Sequence, residues 1–76
     1  MKDSRILIAD DDEFNRLLLK SILMKYKVIV TEAINGNDAV RSVKNQSPDL
    51  IIMDIKMPEK NGIEATEEIR KYDRKI

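Results

Sequence analysis

Three short apolar runs, each followed by a stretch with helical spacing, leave this 76-residue chain few ways to fold. Ile6-Leu7-Ile8-Ala9 is continuously apolar, which is how a strand buried on both faces of a parallel sheet reads, and it predicts a strand over about 5–9. Beyond Asp10-Asp11-Asp12-Glu13, the residues Phe14, Leu17, Leu18 and Ile22 recur at spacings of three and four, the stripe of an amphipathic helix over about 13–25. Asp11 or Asp12 is placed to cap it, and Lys20, Lys25 and Lys27 gather toward its other end, where the macrodipole favours cations. Val28-Ile29-Val30-Thr31 is β-branched throughout and predicts a strand over about 28–33. Asn35-Gly36-Asn37-Asp38 supplies a turn and a cap, Ala39, Val40 and Val43 mark a helix over about 37–46, and Pro48 ends it. Leu50-Ile51-Ile52-Met53-Asp54-Ile55 lies in a third strand over about 49–55. After the loop Met57 to Gly62, the residues Ile63, Thr66, Ile69 and Tyr72 mark a helix over about 62–73, with a charged tail to Lys75.

The order βαβαβα with connections of a few residues means a parallel sheet with helical, right-handed crossovers. No repeat, linker or low-complexity segment divides residues 1–76, so one domain is expected, with a thin core, since a chain of this size buries only about 60% of its unfolded surface. Composition then removes whole chemistries. Fourteen basic residues balance fourteen acidic ones, so electrostatic capture of nucleic acid or of an anionic membrane is not expected. Cysteine and histidine are absent, which excludes disulfides, thiolate zinc sites, imidazole bases and a phosphohistidine of the chain's own. The lack of cysteine suits a reducing cytoplasm, and no apolar run approaches the length of a membrane span or a signal peptide. No phosphate-binding glycine loop occurs.

What remains for chemistry is carboxylate, ammonium, guanidinium and hydroxyl. In a parallel sheet every strand points its C-terminal end to the same edge, where ligands bind. Asp10 and Asp11 finish the first strand and Asp54 nearly finishes the third. If those strands are neighbours, three carboxylates converge, and their repulsion calls for either a raised pKa or a cation. Hard oxygen donors without nitrogen or sulfur partners select Mg²⁺, Mn²⁺ or Ca²⁺, and a partial carboxylate set completed by water favours Mg²⁺. A plainer account of Asp11, Asp12 and Glu13 is an acidic cluster at a helix N-terminus. Asp54 resists such an account, because a lone carboxylate in an apolar strand is costly unless paired, capped or functional.

The motifs Ile6-Leu7-Ile8-Ala9-Asp10-Asp11-Asp12 and Met53-Asp54-Ile55-Lys56-Met57-Pro58 through Glu64 resemble the receiver domain of two-component response regulators. Glu32-Ala33-Ile34-Asn35-Gly36 and Asp38-Ala39-Val40 match that family's second strand and helix, so the resemblance runs over essentially the whole chain. Gly62-Ile63-Glu64-Ala65-Thr66 with Ile69-Arg70 resembles receivers attached to hybrid histidine kinases. The resemblance implies a flavodoxin-like α/β fold with strand order 2-1-3. It implies that Asp54 takes a phosphoryl group from a histidine kinase or a histidine phosphotransfer protein, without the chain being itself an enzyme. Asp10, Asp11, Asp54 and the backbone carbonyl of Lys56 would then form the Mg²⁺ site, with Asp11 a direct ligand and Asp10 acting through water.

A complete receiver has five βα units, and these residues carry three. The fourth-strand Ser or Thr and the fifth-strand Lys that meet the phosphoryl group have no counterpart here, and Lys56 belongs to a different family position. The order 2-1-3 makes the third strand an edge with an apolar run, which predicts a homodimer joined through that strand. A second reading is a truncated α/β fragment that acts through self-assembly or kinase competition without phosphorylation. A third is a small Mg²⁺-dependent hydrolase, for which no base or substrate clamp is evident.

Overall fold

The computed structural model describes residues 4–57 and 60–72. Strand β1 (Ser4–Ala9) is followed by helix α1 (Glu13–Leu23), β2 (Val28–Ala33), α2 (Gly36–Gln46), β3 (Leu50–Met53) and α3 (Gly62–Tyr72). The strands form one parallel sheet in the order β2-β1-β3. In register, Ile6 lies beside Val30 and Leu50, Ile8 beside Glu32 and Ile52, and Ala9 beside Ala33 and Met53. β1 is therefore the central strand, which explains its unbroken apolar run: Leu7, Ile8 and Ala9 are wholly buried.

The two faces of the sheet are covered unequally. Leu7, Ala9 and Ala33 meet Ala39, Val40 and Val43 of α2, Ala65 and Ile69 of α3, and Met57, with Ile51 and Met53 packed alongside; this is the core. On the opposite face lies α1 alone, packed over β1 and β2. No residue of α1 is buried. The stripe Phe14, Leu17, Leu18 and Ile22 faces solvent, and the half-buried residues are Arg16, Leu19, Lys20 and Leu23. The helix thus packs on the sheet with a different face from the one the apolar spacing marks. Its contact side carries the cations that reach Glu32 of β2, and the stripe on the other side packs against no element among the described residues.

Each helix begins on a side-chain cap. Asp12 accepts from the Phe14 N–H at 2.9 Å, and Asn35 accepts from the Asp38 N–H at 2.7 Å. At α3 the capping is reciprocal: Asn61 Oδ1 accepts from the Glu64 N–H, and Glu64 Oε1 accepts from the Asn61 N–H. α2 closes on Ser47, whose φ of 47° is left-handed, with its N–H donating to the Val43 carbonyl before Pro48 forbids another turn.

Several bounds differ from those the sequence predicts. β1 begins one residue earlier, at Ser4, and α2 one earlier, at Gly36. α1 ends at Leu23 rather than Lys25, because the Met24 N–H closes on Lys20 and the Tyr26 N–H on Leu23 in a tight turn. β3 spans Leu50–Met53 rather than 49–55. Asp49 is tied to Arg5 by two backbone-directed bonds, one through its own carboxylate. Past Met53, the Asp54 N–H still reaches Ala9, but the Ile55 carbonyl is taken by the Gly62 N–H, which turns the chain out of the sheet. Position 73, the expected end of α3, lies outside the described residues, as do the tail to Lys75 and Pro58 and Glu59 of the loop. Among the described residues, no helix is long and apolar enough to cross a membrane.

Candidate functional site

Because β1 and β3 are neighbours, their C-terminal ends deliver Asp10, Asp11 and Asp54 to one edge of the sheet. One carboxylate oxygen from each lies within 4.8 Å of the others. Asp10 is buried, with 8% of its surface exposed, Asp54 is half-buried and Asp11 is exposed. The backbone is pinned on both sides: the Asp10 N–H donates to the Ala33 carbonyl at 3.0 Å and the Asp54 N–H to the Ala9 carbonyl at 2.9 Å. β2 thus holds the approach to Asp10 and β1 the approach to Asp54, both through main-chain bonds.

The site's polar partners are few. Asp10 Oδ1 accepts from the Asp12 N–H at 2.9 Å, which turns its carboxylate toward the start of α1. Arg16 donates to the Asp10 carbonyl at 2.9 Å and pairs with Glu32 at 3.0 Å, so its charge is spent behind the cluster and not within it. Lys56, two residues beyond Asp54 in an exposed loop, gives its N–H to Asp54 Oδ1 in a long bond of 3.4 Å. Three anions at this separation repel by about 3 kcal/mol per pair at an effective dielectric near 20. Their own protein supplies no side-chain cation among the bonds described, so the arrangement gains from a bound one. The donor set is all carboxylate oxygen in a chain with no imidazole or thiol, which fits a hard divalent ion such as Mg²⁺.

The structure brings together the three aspartates singled out in the sequence and places Lys56 beside them. Two glycines, read from the sequence only as parts of turns, also shape the site. A Cβ at Gly62 would sit 2.2 Å from the Asp54 carbonyl oxygen, and one at Gly36 would sit 1.8 Å from the Lys60 carbonyl oxygen. Both contacts are with backbone, so the segment after Asp54 is packed against the starts of α2 and α3 as closely as hydrogen side chains permit. Nothing local to Asn35-Gly36 or Asn61-Gly62 signals this, since the opposing atoms are distant along the chain.

Comparison with known proteins gives a consistent result. A family model for the response regulator receiver domain matches residues 6–76. The chemotaxis protein CheY of Bacillus subtilis is 51% identical over 70 residues, which cover 91% of this chain and 58% of that protein. The autoinducer 2 sensor kinase/phosphatase LuxQ of Vibrio parahaemolyticus is 41% identical over 66 residues, 87% of this chain and 8% of that one. A sensor kinase is therefore among the relatives, as is a chemotaxis response regulator. Among solved structures, the response regulator domain of Thermotoga maritima CheB superposes with a TM-score of 0.89 at 39% identity, covering 95% of this chain and 55% of that one. The receiver domain of Saccharomyces cerevisiae Ssk1, solved with the histidine phosphotransfer protein Ypd1, gives 0.88 at 36% identity, with 96% and 50% covered. A CheX-CheY-BeF3-Mg²⁺ complex from Borrelia burgdorferi gives 0.90 at 29% identity, with 96% and 57% covered. The chain spans 58% of the length of the CheY relative it matches.

Proposed function

Because this chain belongs to the response regulator receiver domain family of two-component signalling, we propose that it is a phospho-acceptor module in which Asp54 takes the phosphoryl group. The observation that carries this reading is the convergence of Asp10, Asp11 and Asp54 at the C-terminal edge of β1 and β3. Asp10, Asp11, Asp54 and the Lys56 carbonyl would hold Mg²⁺, whose chemistry when bound is to neutralise the anions that meet at this edge. The presence of Mg²⁺ in the Borrelia burgdorferi CheY complex supports that choice of ion.

The chain's own part is positioning. The Ala9 carbonyl fixes the Asp54 main chain, Gly62 lets the following turn close behind it, and the Lys56 N–H engages Oδ1 of the Asp54 carboxylate. In the step itself, an Asp54 oxygen bonds to phosphorus as the phosphorus–nitrogen bond of a phosphohistidine breaks. An acyl phosphate forms, and the imidazole leaves with the electron pair and a proton from solvent. The donor is a histidine kinase or a histidine phosphotransfer protein, a class for which the Ypd1–Ssk1 complex is a precedent; a cytoplasmic setting suits a chain without cysteine. It accepts the group and is not itself a catalyst of turnover on another substrate.

The test uses the chain and its Asp54→Asn variant, each incubated with Mg²⁺ and a small phosphodonor such as acetyl phosphate. A hydroxylamine-labile gain in mass on the unaltered chain alone is expected, and it should disappear when EDTA is added. Absence of label from both proteins would remove the phospho-acceptor reading in favour of a binding role without phosphorylation.

A further inference from the structure

Arg16 stands one turn into α1, where its N–H closes on the carbonyl of the cap residue Asp12. It lies on the side of the helix that packs on the sheet, and only 13% of its side chain is exposed. Its guanidinium donates in two directions. Nε gives its hydrogen to Glu32 Oε1 at 3.0 Å, and Nη1 gives one to the Asp10 carbonyl at 2.9 Å. Glu32 belongs to β2, beside Ile8 in register, and its other oxygen accepts from Lys20 at 3.0 Å. The guanidinium is thus anchored on β2 and delivers a second N–H to main chain at the point where β1 ends. Arginine suits this task, since its planar fork serves two acceptors at once and keeps its charge at any ordinary pH.

The carbonyl it reaches lies in the peptide between Asp10 and Asp11, which supply two of the three carboxylates at the acidic edge. Asp10 is held by its N–H on the Ala33 carbonyl, by its Oδ1 under the Asp12 N–H, and by its carbonyl under Arg16. The first two bonds fix the residue and its carboxylate. The third acts on the peptide plane that leads on to Asp11, and the tilt of that plane sets where the Asp11 Cα stands. Asp11 is exposed, so packing does not hold its carboxylate in place. With Arg16 gone, the Asp10 carbonyl would be left to water and the peptide would be freer to rotate. Glu32 would keep Lys20, so α1 would still be tied to β2.

We propose that Arg16 is a positioning residue of the acidic edge. Anchored on Glu32, it sets the tilt of the Asp10–Asp11 peptide, and with it the spacing of the Asp11 carboxylate from Asp10 and Asp54, so that the three receive one divalent cation. The inference rests on the reading of these aspartates as a Mg²⁺ site and deepens it by naming what holds them in register. Arg16 acts through main chain: its bonds go to the Asp10 carbonyl and to Glu32, not to a carboxylate of the cluster. Lys20 shares Glu32, and its described bond goes there and not to the acidic edge, which makes it the control for the tether of α1 alone.

The test follows the 76-residue chain by amide NMR, first free of metal and then through a titration with Mg²⁺, with no phosphodonor present. In the metal-free protein, Arg16→Met and Arg16→Lys should each move the Asp11 amide nitrogen resonance, because that nitrogen shares a peptide with the Asp10 carbonyl. Lys20→Met should leave it in place. Both Arg16 variants should bind Mg²⁺ at least about tenfold more weakly, the scale expected when a group that orients a metal ligand is removed. Lys20→Met, which loosens α1 without touching Asp10, should bind as the unaltered chain does. Arg16→Lys keeps a cation for Glu32 but not the fork, and it carries the test if Arg16→Met fails to fold. Undiminished Mg²⁺ affinity in Arg16→Lys, or an equal loss in Lys20→Met, would overturn the proposal and leave the metal site standing. Failure of the unaltered chain to bind Mg²⁺ would overturn the metal site and the role of Arg16 together.

Discussion

Gly62 carries a constraint that its place at a helix start does not announce. Its missing Cβ would lie 2.2 Å from the Asp54 carbonyl oxygen and 2.9 Å from the Ile55 Cα, and neither atom belongs to a side chain that can rotate away. Alanine would gain up to about 1 kcal/mol of helix propensity. The forced shift of the Asp54 turn outweighs that gain, since overpacking against unyielding neighbours costs about 1–3 kcal/mol. Gly62→Ala is therefore expected to lower the midpoint of urea unfolding and to reduce labelling of Asp54 by a phosphodonor. An unchanged midpoint would show that the turn is free to move. At this scale the sequence exposed the acidic residues well, because a carboxylate in an apolar run stands out. It hid both glycine contacts, because those are made with backbone 8 and 24 positions away.

At the scale of the element, α1 differs from the other two helices. α2 buries Ala39, Val40 and Val43 and α3 buries Ala65 and Ile69, whereas α1 buries nothing and is joined to β2 by Arg16 and Lys20 on Glu32, each at 3.0 Å. The hydrogen bond from Lys20, together with the Arg16 bond and the charge of both cations, holds the Glu32 carboxyl below its ordinary value of 4.5 despite some desolvation. A carboxyl whose pKa falls on folding contributes stability above its unfolded value, and that contribution is lost as the pH drops through the folded value. Amide exchange in α1 should accordingly be faster than in β1 at neutral pH, and Glu32→Gln should speed it further without altering β1. The difference between Glu32→Gln and the unaltered chain should fade as the pH is lowered past 4.5 and below, and a difference that persisted there would rule out the ion pairs as the tether. Because Glu32 is about one-third exposed, the effect on global stability stays small and shrinks further in salt. The apolar spacing identified α1 as a helix correctly but marked the side that faces away from the sheet. Spacing reports that a helix has an apolar side; which neighbour covers that side is decided by what else is folded nearby.

The whole molecule is as tightly folded as a complete domain of its length, with a radius of gyration of 11.6 Å against about 11 Å expected for 76 residues. Yet large apolar side chains outside the core, among them Phe14, Leu17, Leu18, Ile22, Leu50, Ile55 and Ile63, remain about half exposed or more. An ordered fold with this much apolar surface should bind the dye ANS while still unfolding cooperatively in urea. Leu18→Lys combined with Ile22→Lys should lower the dye fluorescence and leave the unfolding midpoint nearly unchanged, since both residues already face water. Strong dye binding with a broad, probe-dependent transition would instead describe a loosely packed state. Set against the sequence, the three strands, the three helices, their caps and the three aspartates were all determined locally, by periodicity, turn residues and carboxylates out of place. The order β2-β1-β3 and the bare sheet edge among the described residues were reachable from the sequence only through the family resemblance, and the approach of Asp10, Asp11 and Asp54 to within 4.8 Å only through the tertiary structure. Periodicity says that a segment has a side to bury, but which strand lies beside which, and so which carboxylates meet, depends on contacts between residues far apart in the chain.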